Sequence, residues 1–216
     1  MNLRFVRSAQ AVCFLLIAAS LVAQTQPPPV VPARTLSAST LESRTKWWVQ
    51  NSLGANAFVG SAIGATARMV SPANGYPREW RQGAEGYGRN FGHYFAMNAT
   101  AYTAKLGVAA LLGEDPRYHP SIEKGAAKRI KHAIIFSFVD RSNSGHLRPA
   151  ISTWAGALAG GFVTKAYLPN RFNDSVHAGQ WTLINFGALV GDNFRDEFRP
   201  EFRRLAKKLH LPFPRP

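Results

Sequence analysis

Between Trp80 and Pro120 the chain reads WRQGAEGYGRNFGHYFAMNATAYTAKLGVAALLGEDPRYHP, and no other stretch restricts the fold as strongly. Set on a helical period, Gly88, Gly92, Ala96 and Thr100 fall four residues apart and form one narrow row of small side chains. Tyr87, Phe91, Phe95 and Ala99 lie beside it. Arg81, Glu85, Arg89 and His93 make a polar row in which opposite charges meet at i,i+4. Glycine inside a helix costs about 1 kcal/mol against alanine. A helix that accepts this cost repeatedly is expected to let another backbone approach closely, the use small residues serve between membrane helices. The reading is a long helix over 80–112 with a glycine seam, in which leucine at Gly92 is expected to force a helix contact apart. Gly113 suits a left-handed C-cap and Pro116 forbids continuation. Asp115, Arg117, Tyr118 and His119 then crowd one turn. They read either as a polar ligand site or as an Asx-type turn built on Asp115.

The rest of the chain follows the same small-residue theme. Residues 1–23 have a charged start at Arg4 and Arg7, then the apolar run AVCFLLIAASLVA, and read as an export signal. Residues 24–42 are rich in proline, then serine and threonine, and read as a spacer. A helix is expected over Ser43–Val70, with Gly60 and Gly64 four apart, followed by a turn at Ser71–Gly75. Pro77 fits the first turn of the central helix. A third helix is expected over Ile122–Val139, basic in its first half through Lys124, Lys128, Arg129, Lys131 and His132. That half reads as a phosphate- or headgroup-binding face or as a solvated one. Asp140–Pro149 reads as a polar loop. A fourth helix over Ala150–Leu168 carries Gly156, Gly160 and Gly161. A fifth, capped by Asp174 or Ser175, runs to about Arg199 with Gly187 and Gly191 in it. Pro200 kinks the tail or opens a new helical segment.

The fold class expected is all-α: one bundle of about five helices over 43–216, with Gly/Ala packing seams. The run EGYGRNFG followed by EDPRY, the DRSNSG segment and the later Trp- and Gly-containing helices resemble a family of secreted bacterial helical proteins with no established activity. The resemblance covers most of the chain after residue 75. It implies one exported domain and carries over no catalytic residue.

Charge narrows the partners. The chain has 26 Lys and Arg against 12 Asp and Glu, a formal net charge of +14. That favours anionic lipid or another envelope polyanion, and export argues against nucleic acid. A second copy of the chain is the other candidate partner. In the tail Phe194, Phe198, Phe202, Leu205 and Leu209 alternate with basic residues, a pattern suited to an anionic membrane surface or to the bundle itself. Lys105 and Lys165 interrupt two apolar runs, so a bundle or an interfacial protein fits better than independent membrane spans. The expected location is the periplasm or outer cell envelope.

Chemistry is sparse. Cys13 is the only cysteine, so no intramolecular disulfide forms. The six histidines form no compact metal-binding pair, no nucleotide loop or serine elbow is present, and no cofactor is implied. His146, Arg171 and His177 faintly resemble the histidine phosphatases of lipid and acid phosphate esters. The resemblance implies His177 as nucleophile, His146 as acid and Arg171 as phosphate clamp, but Trp181 stands where an acidic partner should orient His177. The ligand-binding candidates are Arg89, His93, Asp115, Arg117, Tyr118, Lys128 and Arg129. The role expected is that of a non-enzymatic envelope protein.

Overall fold

The computed structural model describes residues 40–210. The expected export signal, Cys13 and nearly all of the expected spacer lie outside them. Helices dominate, with one small sheet. The elements are α1 (Leu41–Ser52), α2 (Ala55–Val70), α3 (Arg78–Arg81), α4 (Gly83–Leu112), β1 (Glu114–Asp115), α5 (Ala126–Ile135), β2 (Val139–Ser142), β3 (Leu147–Pro149), α6 (Ile151–Phe162), α7 (Ser175–Glu197) and α8 (Arg199–Lys208). A single 3-10 turn, Val163–Ala166, extends α6.

Local chemistry sets many of these boundaries. Thr40 caps α1 by accepting from the Ser43 amide at 3.2 Å, and Asp174 caps α7 by accepting from the His177 amide at 2.8 Å. Gly113 ends α4 in the left-handed region at φ 66°, and its amide bonds the Ala109 carbonyl. Pro200 sits in the first turn of α8, where its missing amide is not needed.

Two expected helices are broken. The span 43–70 divides at Leu53–Gly54, because the chain folds back onto its own helix end. A Cβ at Gly54 would lie 2.3 Å from the Gln50 carbonyl oxygen, so only glycine makes that bend. The central helix starts at Gly83, since Gln82 is extended and Gly83 has φ 70°. Helix α5 is also shorter than 122–139, and part of the expected loop 140–149 is a hairpin. Val139, Asp140 and Arg141 pair with Pro149, Arg148 and Leu147, while Glu114 and Asp115 pair with Ser142 and Arg141 on the other edge.

Helix α4 is the axis of the bundle, packing on α6, α2, α1 and α3, and α6 packs in turn on α7. Its buried face is Gly86, Asn90, His93, Met97, Ala101, Lys105 and Ala109. The expected seam through Gly88 and Gly92 is overturned: both glycines are exposed, and a Cβ on either meets nothing within 4 Å. Gly60, Gly187 and Gly191 are equally open. The close approach belongs to α6. A Cβ at Gly156 would lie 2.7 Å from the Ala101 carbonyl oxygen, and one at Gly160 would lie 2.7 Å from that of Met97. At Gly161 it would lie 2.5 Å from the Thr182 amide nitrogen of α7. Gly64 of α2 makes a further contact, under the Tyr94 ring.

Aromatic residues fill the two ends of the core. Tyr76, Trp80, Met97, Leu168 and Trp181 form one cluster; Tyr102, Ala157, Phe186 and Leu189 form the other. In the second, Trp154 stacks on Phe186 with ring centroids 4.0 Å apart. Among the described residues, no helix is long and apolar enough to cross a membrane.

Candidate functional site

The crowded turn after α4 opens a connector, 116–125, that has no regular structure and runs from β1 to α5. Its first half is closed on itself. Asp115 accepts from the Arg117 amide at 3.1 Å, from Arg117 Nε at 2.9 Å and Nη2 at 2.8 Å, and lies 3.0 Å from His119 Nε2. Burial pushes the Asp115 carboxyl up. The bonds from His119 and Arg117 outweigh it and hold the carboxyl well below its usual range. The Asx-type turn is therefore present, and it places a histidine beside an orienting carboxylate.

The second half of the connector is fastened by Glu197, the last residue of α7, which is fully buried. Tyr118 Oη donates to Glu197 Oε2 at 2.6 Å, and the Ser121 amide donates to the same oxygen at 2.9 Å. Arg129 Nε donates to Glu197 Oε1 at 3.0 Å. Burial raises the Glu197 carboxyl, but these donors together bring it below its ordinary value. Tyr118 Oη has one proton and spends it on Glu197. His132 Nδ1, 2.8 Å from that hydroxyl, is then its donor, which leaves Nε2 as the lone-pair nitrogen. Burial lowers the His132 pKa more than nearby Glu197 raises it, so the ring is neutral at pH 7.

Arg129 does more than hold Glu197. It also pairs with Glu201 of α8 through Nη1, and its guanidinium carbon sits 4.4 Å above the Phe198 ring. One side chain thus ties α5 to both sides of the α7–α8 joint. Sequence reading left this face open between headgroup-binding and solvated; the structure pairs Arg129 with the buried Glu197 and the exposed Glu201. Lys128 is exposed, with Glu123 at 3.3 Å, and Arg89 pairs with Glu85 on the outer face of α4.

His93 lies elsewhere, in the aromatic end of the core, and is 2 % exposed. Its Nδ1 is 3.2 Å from Tyr167 Oη, and its ring meets Trp181 at 4.2 Å. Burial, aided by the charge of Arg68, lowers its pKa to about 3. His93 Nε2, Tyr76 Oη, Asn90 Oδ1 and Arg68 Nε are buried without a hydrogen-bond partner. Arg68 lies over the rings of Tyr76 and Trp181, at 4.6 and 5.3 Å.

The phosphatase-like residues are not brought together. His146 closes the β2–β3 hairpin, before the start of α6, whereas Arg171 and His177 follow its end. The twelve residues of α6 set its two ends about 18 Å apart. His177 does have an orienting carboxylate, Asp174 at 2.9 Å, three residues before it rather than four after. Arg171 holds a left-handed backbone at φ 80°.

Sequence reasoning missed Glu197, Glu114, Asp140 and Asp192. Glu114 accepts from the Ser152 amide at the start of α6, Asp140 accepts from Thr153 at 3.1 Å, and Asp192 accepts from Tyr102 across the bundle. Nothing in the spacing of these residues names their partners. Among the described residues no group of His, Cys, Asp and Glu gathers in a metal-holding arrangement. Two open grooves mark the surface, one along α1 and one between α7 and α8. In comparisons with protein-family models, curated proteins and solved structures, the chain matches none.

Proposed function

We propose that this chain is an exported, non-enzymatic cell-envelope protein whose helical bundle associates with anionic lipid or another envelope polyanion. The supporting observation is a juxtaposition. Helices α5 and α8 are both strongly basic, and the Arg129–Glu201 pair links them. Lys128, Lys131, Arg204, Lys207 and Lys208 are exposed on them, together with Ile130, Ile134, Phe202, Leu205 and Leu209. The acidic residues nearest this surface, Glu123 and Glu201, already have basic partners. A surface that offers both positive charge and apolar side chains suits a phase boundary that is anionic above and apolar below. The hydrolase alternative loses its support, because His146 and His177 lie beyond opposite ends of α6.

Sedimentation of the purified protein with phosphatidylglycerol vesicles, with phosphatidylcholine vesicles and with long-chain polyphosphate tests the proposal. Binding to the anionic probes alone, weakened as salt rises, is the expected result. Failure to bind any anionic probe at 0.1 M salt, or equal binding to neutral vesicles, overturns it.

A further inference from the structure

The groove between α7 and α8 is lined by Gly191, Phe194, Phe202, Leu205, Ala206 and Leu209. Only Ala206 of α8 is buried; Phe202, Leu205 and Leu209 are 44, 53 and 57 % exposed. On a helical period these three fall on one flank within about 60° of arc. Arg199 and Arg203 border that flank on one side and Lys208 on the other, with Lys207 and Arg204 turned away from it. We infer that α8 is an in-plane membrane helix: its Phe202–Leu205–Leu209 flank enters the acyl boundary of an anionic bilayer while the bordering basic residues meet headgroup phosphates. This inference rests on the proposed function and names the element and the surface that carry it.

The charge pattern selects lipid over the other occupants. A second copy docking isologously would bring the same basic flank against itself and oppose like charges across a two-fold axis. An anionic bilayer offers phosphates in a plane, with apolar chains a few ångströms below. Long arginine and lysine stems at the border can lie along that boundary and lift their heads to it. Glu201, the only acidic residue of α8, borders the flank beside Leu205 and shares the Arg129 guanidinium with Glu197, and the five basic residues of the helix outnumber it.

The experiment compares the full chain with L205E, L209E and R199Q/K208Q, and with L111E as a control at an 86 % exposed site at the end of α4. Vesicles of one part phosphatidylglycerol to three parts phosphatidylcholine are the probe, and melting temperature certifies that each variant is folded. L205E and L209E are each expected to weaken partitioning about tenfold, since each trades a leucine's apolar burial for a charge. R199Q/K208Q is expected to weaken it and to flatten its salt dependence, while L111E stays within about twofold. If wild type binds and both leucine variants bind equally well, α8 is not the contact and this inference fails while the proposed function stands. If wild type does not bind these vesicles, this inference fails, and the proposed function fails with it only where polyphosphate is not bound either. A concentration-dependent dimer that L205E abolishes, with vesicle binding unchanged, assigns the flank to a second copy and overturns the inference.

Discussion

Two buried side chains make sharp predictions because their environments are so dry. The folded His93 ring resists a proton that the unfolded ring accepts below about pH 6.5, so unfolding takes up a proton in acid. Stability therefore falls as pH drops from 6.5 toward 3, by about 2 kcal/mol between pH 7 and pH 5. Arg68 from α2 is the cation that deepens this effect; Tyr94, Tyr167 and Trp181 pack around the ring with no compensating carboxylate. Urea titrations at the two pH values should show the loss, and His93→Phe should remove most of it. His132, whose pKa is also lowered, contributes to the slope that remains. Tyr76 gives the second prediction. Its ring meets Trp80 at 5.6 Å and Phe172 at 5.0 Å, and its buried hydroxyl makes no well-formed hydrogen bond, the Arg68 guanidinium being the polar group beside it. Tyr76→Phe should leave stability unchanged or raise it by up to about 1 kcal/mol in denaturant unfolding. A loss larger than that would show the hydroxyl to be bonded in solution.

At the scale of elements, glycines that look alike in sequence differ in what a methyl group would meet. Gly92→Ala should stabilise α4 by several tenths of a kcal/mol, because the site is open and alanine is the better helix former. Gly161→Ala should cost about 2 kcal/mol or more, because the α7 backbone occupies the space. Thermal melts of the two variants that moved in the same direction would contradict this. The contrast also shows what was legible. Caps at Gly113 and Asp174, the turn at 71–75 and the seam on α6 were readable, since each rests on residue types with one main use. The inner face of α4 was not. It carries Asn90, His93 and Lys105, so the polar-out rule points the helix the wrong way round. Lys105 is tolerated there with its ammonium 5.8 Å from the Trp47 ring centroid, a partner nearly sixty residues away. The strands span two to four residues, too few for an alternating pattern to register. Of the candidate site, the Asp115–Arg117 turn was local and visible, whereas Glu197 reaches Tyr118 across 79 positions.

Across the whole molecule, Arg129 and its two carboxylates join parts that the core does not. Glu197 and Glu201 bind the same guanidinium, yet one is fully buried and the other 47 % exposed. Glu197→Ala should cost about 3–5 kcal/mol, because it strands Tyr118, the Ser121 amide and a half-buried cation together. Glu201→Ala should cost far less, as exposed pairs do. Chemical denaturation of both variants checks the ordering, and equal losses would refute it. The fastening has a consequence for incomplete chains. A product ending at residue 196 would keep every helix of the core up to α7 nearly whole. It would still lack the carboxylate that fastens Tyr118 and Ser121, and a protease would find its first cut near residue 120 rather than at the new end.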